Sequence, residues 1–415
     1  MDRVILHSDM NSFYASVECV ERPELKKVPM AVGGSPESRH GIILAKNQAA
    51  KKFGIKTGEP LWQAFLKCRD LVVVPPNFPK YQKFSQMARE IYLQYTDRFE
   101  PYGIDEGWLD VTGSLGIFGS GEQIAYDLNR RIKKELGVTV SVGVSWNKIF
   151  AKLGSDYKKP DAVTVFDREN YQRLVYPLPV GELLYVGRAT EQKLKIYGIR
   201  TIGDLAAAEA ENLEKLLGKW GYVLHDFALG NDRSEVKIFS EEKLIKSVGN
   251  STTTPRDLVS EEDVKIIFTV LAESVAMRLR EHGMYGQTVR IQIRDKEFYD
   301  FSRQCKLDNP TCLASEIVKT AMYLFKKNYK WSRPVRLLGI AVADLMPYDE
   351  VFTQCDIFVS EREREKKEHL AAAVDSIRKK YGSLAIRPGC LLSDKDLSEF
   401  DPRAEHIVNP KPYKL

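Results

Sequence analysis

Hydrophobic and polar positions change period several times along this chain, and each change predicts an element. Val4 to Ser8 is an apolar run ending on Asp9, the pattern of a buried strand that leads through a turn into a helix from Met10 to Glu18. Residues 24–80 are punctuated by Pro23, Pro29, Gly33, Gly34, Pro36, Pro60, Pro75 and Pro76, which predicts a small inserted unit with one helix from Lys46 to Phe53. From Tyr81 to Phe99, Phe84, Met87, Ile91 and Tyr95 recur at helical spacing and predict a core-facing helix. An amphipathic helix over Gly121 to Leu136, an alternating strand over Val138 to Ser145, a helix over Trp146 to Asp156 and a strand over Val163 to Phe166 complete an α+β layer.

The pattern changes again at residue 167. Residues 167–235 read as short helices, with hairpin-like turns near Ile199 to Leu205 and at Leu217-Gly218-Lys219-Trp220-Gly221. Residues 236–248 read as a linker, and 249–347 as a second α+β unit. In that unit Val289, Ile291 and Ile293 alternate with Arg290, Gln292 and Arg294, and Arg336 to Val342 forms another strand. Helices near 261–282 and 311–329 are expected to cover its apolar side. Beyond Pro347, a charge-rich helix over Glu361 to Lys380 carries a narrow apolar stripe of Leu370, Val374 and Ile377, followed by a loose tail.

Length and composition narrow the class. A chain of 415 residues exceeds one ordinary core, so several domains are expected. It contains no apolar run of about 18 residues, which argues against a membrane span. The beginning of the chain is unlike a secretory signal. Its six cysteines form no Cys-x-x-Cys, which points to a reducing cytoplasm and away from zinc or disulfide frameworks. Residues 1–166 and 236–347 each hold four more Lys/Arg than Asp/Glu, whereas 167–235 hold two fewer. Two basic blocks suit a polyanion gripped at two places, although charge runs are usually solvated faces.

The candidate chemistry centres on Ile104-Asp105-Glu106-Gly107-Trp108-Leu109-Asp110. Neighbouring side chains on a strand point to opposite faces, so Asp105 and Glu106 reach one site only around a tight turn. Taken alone, the pair reads as a solvated turn. Asp9 sits where a strand ends and a helix begins, a position suited either to holding a metal and its phosphates or to capping the helix. Lys46, Gln48, Lys51 and Lys52 offer a polar, basic helix face that meets a triphosphate or only solvent.

Asp9-Met10-Asn11-Ser12-Phe13-Tyr14-Ala15-Ser16-Val17-Glu18, the Asp105-Glu106 stretch, and Ser141 to Lys148 with Ala151-Lys152 occur in one order. Together they resemble the Y-family (translesion) DNA polymerases, nearest the bacterial DNA polymerase IV branch. The likeness spans about residues 1–347. It implies a multidomain α+β right-hand polymerase: palm 1–23 and 81–166, inserted fingers 24–80, helix-hairpin-helix thumb 167–235, linker 236–248 and α/β little finger 249–347. Residues 348–415 form a C-terminal tail with a clamp-binding peptide and helix. The implied activity is low-fidelity, template-directed synthesis past damaged bases, by two-metal transfer from a dNTP to a primer 3′-hydroxyl, without proofreading. Two Mg²⁺ ions, or Mn²⁺, are expected on Asp9, Asp105, Glu106 and the Met10 carbonyl, with Asp9, Asp105 and Glu106 catalytic. Tyr14 falls at the family's steric gate, and Phe13, Gln48, Lys51 and Lys159 at nucleotide contacts. Lys148, Lys152, Gly187, Lys219, Arg290 and Arg294 are the DNA-contact candidates.

Gln354-Cys355-Asp356-Ile357-Phe358 resembles the peptide that docks bacterial polymerases on the sliding clamp, with Gln354, Ile357 and Phe358 as anchors. The resemblance thus implies primer–template DNA, dNTP and clamp as partners of a cytoplasmic, monomeric enzyme. Departures from the family pattern are Gln48 and Lys51 for a usual Tyr and Arg, Asn11 for a frequent Asp, Tyr185 for a glycine before Gly187, and Ala162 for a glycine. Lysine loses the bidentate geometry of arginine. A catalytically weak, clamp-recruited DNA-binding accessory protein is the alternative from another class; it is expected to lack the metal carboxylates. A two-metal nuclease would share the carboxylates but leaves the gate and hairpins without a role.

Overall fold

The computed structural model describes residues 2–34, 41–240, 245–350 and 361–402, and within these the chain forms two compact units divided near residue 242. The clamp-peptide candidates Gln354, Ile357 and Phe358 lie outside the described residues.

The first unit is built on a five-stranded sheet with Ile5–Met10 at its centre. Glu106–Asp110 and Val140–Ser145 flank it antiparallel, and Phe99–Pro101 and Val163–Val165 form the edges. Val140–Ser145 is buried throughout rather than on alternate residues, because helices cover both faces. Gly143 is what allows one of them, Lys148–Tyr157, to lie so close: a Cβ there would stand 1.9 Å from the Ala151 carbonyl oxygen. Asn147 caps that helix by accepting from the Phe150 amide at 2.8 Å. On the other side, Ser120 and Gln123 close a capping box on Gly121–Leu136.

The helix expected from Tyr81 runs over Phe78–Tyr92, and its buried face is Tyr81, Ser85, Ala88, Ile91 and Tyr92. Phe84 and Met87 pack beside that face, half-buried. The inward line lies one position from the largest apolar residues because polar groups on it have partners: Tyr81 donates to Glu18, and Ser85 to the Ile104 carbonyl.

Between helices Phe13–Glu21 and Phe78–Tyr92 the chain forms a separate three-stranded sheet of Met30–Gly33, Ile43–Lys46 and Val72–Val74, with its own core around Ile43, Leu61 and Ala64. The helix expected over Lys46 to Phe53 does not form at that length. Lys46 ends a strand, and the helix is a single turn, Gln48–Lys51, because Asn47 caps it and also anchors to the Leu25 and Val28 carbonyls. Residues 171–228 form five short helices around Leu194, Leu205, Leu213 and Leu224.

The second unit is an antiparallel sheet in the order Asp300–Thr311, Met284–Asp295, Val335–Pro347, Ser247–Leu258, covered by Glu261–Glu281 and Ala314–Asn328. Two of these strands were not expected. Ser247–Leu258 takes in the end of the supposed linker, and Asp300–Thr311 is too polar to show a period. Helix Glu361–Tyr381 also differs from expectation. Leu370 is 65% and Ile377 39% exposed, while Arg364, Glu368, Asp375 and Arg378 turn inward. There Arg280 pairs with Asp375 at 2.6 Å and Arg378 with Glu273 at 2.6 Å. Nor is the stretch after this helix loose up to residue 402, since Leu391 and Leu397 are buried in the unit's core.

Candidate active site

Asp9 occupies the carboxyl-terminal end of the central strand, and Glu106 is its direct cross-strand partner, so both side chains stand on one face. Asp105 precedes the strand, in the turn that links Phe99–Pro101 to Glu106–Asp110, and is therefore released from strand alternation. Its carbonyl accepts from the Met10 amide at 3.0 Å. A Cβ on Gly103 would be 3.4 Å from Asp105 Oδ1 and 3.5 Å from Glu106 Oε1, so the two carboxylates bend around the same point. The turn resolves how adjacent acids share a site.

Burial pushes the Asp105 carboxyl up to about 7, with the charges of Asp9 and Glu106 adding to the effect. Burial likewise raises Asp9 to about 6, against the opposing pull of Lys159. Lys159 Nζ lies 2.7 Å from Asp9 and 2.6 Å from Asp156; Lys152 Nζ lies 2.6 Å from Glu106. Among the described residues no three acidic, His or Cys side chains close into a ready-made metal cage. The fit to divalent cations rests on the donor chemistry. Three carboxylates at one sheet end, two of them resisting ionisation, form an oxygen-rich site in which positive charge relieves their repulsion.

Tyr14 lies on the first turn of helix Phe13–Glu21, stacked on Tyr81 with ring centroids 4.4 Å apart. Burial and the nearby Asp105 charge raise its hydroxyl pKa. Phe13 is buried, so only its backbone is available to a ligand. No side chain caps this helix: Ser12 adopts a left-handed conformation (φ 48°), which leaves the first amides for an anion.

Gln48 and Lys51 are exposed on their single helical turn, and the Lys51 charge helps lower the pKa of the partly buried Lys46. Lys148 is only 11% exposed; it pairs with Glu100 at 2.8 Å and lies over the Trp108 ring. Its ammonium is thus occupied inside the unit. Gly187 and Gly218 begin helices Arg188–Ile196 and Lys219–Ala228, neither capped by a side chain, and Lys219 is exposed at the second. Tyr185 holds a left-handed backbone (φ 71°), and its ring packs on Trp220 and Phe227. In the second unit Arg294 is paired with Asp300 at 2.6 Å, whereas Arg290 is exposed and donates to Ser302 Oγ at 3.0 Å.

Sequence reasoning missed the polar groups that brace these residues. Asn11 donates to Ser141 Oγ at 2.9 Å and accepts from the Asp161 amide at 2.8 Å and from Thr139 Oγ1 at 3.1 Å. It thereby ties the Asp9 strand to the loop bearing Lys159. An aspartate could not make the donation to Ser141 while unprotonated. His7, fully buried, has Nε2 3.5 Å from Glu106 Oε2. The signal for it was period two: His7 and Asp9 share one strand face.

Residues 8–156 match the impB/mucB/samB family, residues 245–356 match that family's C-terminal domain, and residues 182–232 match the thumb domain of DNA polymerase-iota. The chain is 52% identical over 400 residues to a protein named DNA polymerase IV from Acetivibrio thermocellus, covering 96% of this chain and 100% of the relative. It is 39% identical over 396 residues to DNA polymerase IV 1 of Bacillus subtilis, covering 95% and 94%. A solved Y-family DNA polymerase chimera shares the fold with a TM-score of 0.73 at 24% identity, over 83% of this chain and 99% of the chimera.

Proposed function

Because the chain belongs to the Y-family DNA polymerases, on the DNA polymerase IV branch, we infer that it is a template-directed DNA polymerase that copies damaged templates with low fidelity and without proofreading. The observation that carries this reading is the gathering of Asp9, Asp105 and Glu106 at one sheet end, beside Tyr14 and Lys159. The family's activity depends on divalent metal. In this chain we assign two Mg²⁺ ions to Asp9, Asp105, Glu106 and the Met10 carbonyl, with Mn²⁺ as a substitute. When bound, such ions lower the pKa of the primer 3′-hydroxyl and neutralise the triphosphate.

The remaining steps belong to the chain's own groups. The primer 3′-hydroxyl gives its proton to solvent water, its oxygen attacks the α-phosphorus of the dNTP, the bond from that phosphorus to the oxygen bridging the β-phosphate breaks, and pyrophosphate leaves with the electron pair. Lys159, paired with Asp9 and Asp156, is within reach of phosphate oxygens that would displace those carboxylates. The uncapped amides at Phe13 and Tyr14 offer further donors. Tyr14, backed by Tyr81, is the wall against a ribose 2′-hydroxyl. Gln48 and Lys51 approach the nucleotide from the inserted sheet, with a point charge where relatives carry a guanidinium.

For the DNA we propose the division expected from sequence, palm 1–23 and 81–166, fingers 24–80, thumb 167–235, linker 236–248, little finger 249–347 and tail 348–415, with two changes: Ser247 and Val248 join the little finger's sheet, and residues 361–402 belong to that unit rather than to a tail. Phosphate contacts are assigned to Lys219, Arg290, Arg294 and the amides following Gly187, whereas the Lys152 ammonium, expected to contact DNA, is held by Glu106 at 2.6 Å. Gln354, Ile357 and Phe358 are the proposed clamp anchors, and the enzyme is proposed to act as a cytoplasmic monomer. Among the described residues no helix is long and apolar enough to cross a membrane. Primer extension on undamaged and abasic templates tests the reading. Wild-type protein is expected to extend past the lesion and Glu106→Ala to extend neither template; equal extension by both proteins would overturn it.

A further inference from the structure

His7 is fully buried in the central strand, two residues before Asp9, and its ring stands edge-on to Trp108 at 5.2 Å. Its Nδ1 lies 2.8 Å from Ser155 Oγ on helix Lys148–Tyr157. Its Nε2 has no hydrogen-bond partner and faces Glu106 Oε2 at 3.5 Å. A buried polar atom without a partner is costly, and it calls for an explanation.

The proton inventory of the three groups supplies one. A neutral imidazole carries one N–H, and the Ser155 hydroxyl carries one proton with two acceptors in reach, His7 Nδ1 and the Lys152 carbonyl at 2.7 Å. If serine donates to Lys152, Nδ1 must donate to serine, and the bare Nε2 then faces a carboxylate oxygen lone pair to lone pair. If serine donates to Nδ1, the N–H sits on Nε2, the ring nitrogen 3.5 Å from the carboxylate oxygen. The negative charge of Glu106 favours the second arrangement.

We propose that His7 is a positioning residue that presents Nε2–H to Glu106 Oε2 and fixes that carboxylate as a metal ligand. Lys152 binds the same oxygen at 2.6 Å, so both donors converge on Oε2 and Oε1 is left for the cation. Partners of this kind, one shell behind a metal, set the orientation of the ligand they touch. The proposal rests on the reading of Glu106 as a metal ligand.

The test compares His7→Leu, which removes the donor, with His7→Gln, whose amide N–H reaches about as far as Nε2. Mn²⁺ binding to the protein–primer–template complex is measured by electron paramagnetic resonance, beside the Mg²⁺ dependence of single-nucleotide incorporation. The expected result for His7→Leu is Mn²⁺ affinity and incorporation weakened roughly 10–100-fold, with primer–template affinity unchanged and partial recovery in His7→Gln. Wild-type Mn²⁺ affinity in His7→Leu, or equal loss in both variants, overturns the proposal. Should His7→Leu not fold, Ser155→Ala decides: a weaker shift in the same direction supports the proposal and no shift overturns it. Glu106→Gln separates the two claims. If it binds Mn²⁺ and incorporates like wild type, the reading of the metal site itself fails. If it is impaired while the His7 variants are not, only the role of His7 fails.

Discussion

Tyr14 owes its place to another ring: Tyr81 lies beneath it and Phe78 meets it edge-on at 6.0 Å. Shortening the side chain therefore opens space without undoing the helix that carries it. Tyr14→Ala is expected to lower discrimination against ribonucleotides by on the order of 10–200-fold, the range of a single pocket contact. Competing dNTP and rNTP incorporation measures this, and unchanged selectivity would place the gate elsewhere. Tyr14, Asp9 and Lys159 could be named from sequence because they fall in motifs that resemble the family's, where residue type and order carry the likeness. Asn11, His7 and Asp156 were not, because their roles are hydrogen bonds and ion pairs between segments far apart in the chain. Lys148 is a DNA-contact candidate by its place in the Ser141 to Lys148 motif, but its acceptor, Glu100, arrives from 48 residues away.

At the level of elements, the close approach of helix Lys148–Tyr157 to the sheet depends on Gly143. Gly143→Ala would drive its methyl into the Ala151 carbonyl and the Ser155 amide, so a loss of about 1–3 kcal/mol or more is expected in denaturant unfolding. Helix Glu361–Tyr381 yields a paired prediction. Asp375→Ala removes the carboxylate from the sheltered Arg280 guanidinium, which keeps only the Cys312 carbonyl among the acceptors described, and is expected to cost on the order of 1–3 kcal/mol, whereas Leu370→Ser on the exposed face should stay within about 0.5 kcal/mol. The apolar stripe is not the packed face: Val374 is half-buried, but Leu370 and Ile377 are exposed. Sequence period reports which face is apolar, but here the acceptors that decide the packing, Glu273 for Arg378 and the Pro310 carbonyl for Arg364 among them, lie on other elements. Acid sensitivity belongs to this scale too. The Arg256 guanidinium holds the Asp263 and Asp394 carboxyls below the usual carboxylate range. Their folded-state pKa values are depressed, so the stability they contribute is present above the unfolded-state values and lost as pH falls through the folded ones. Thermal melts of Asp394→Asn should accordingly show a shallower loss below about pH 4 than wild type.

Over the whole chain, alternation and helical spacing located the two α+β units and most of their helices, since those periods report burial on one face. Asp300–Thr311 escaped because an edge strand with both faces largely wet has no period to read, and the single turn Gln48–Lys51 because its cap, not its apolar content, sets its length. Polyanion binding is the property expected of both units together. Primer–template affinity should fall steeply with salt, and Arg290→Ala and Lys219→Ala should each reduce the slope of log K against log salt by about one. The central claim is that Asp9, Asp105 and Glu106 perform nucleotidyl transfer, and the most direct measurement is single-turnover incorporation of one dNTP by Asp105→Asn, with primer–template affinity measured on the same protein. The expected result is a rate reduced by roughly 10³-fold or more with DNA affinity within about twofold of wild type; a rate within about tenfold of wild type would contradict that role for the three carboxylates.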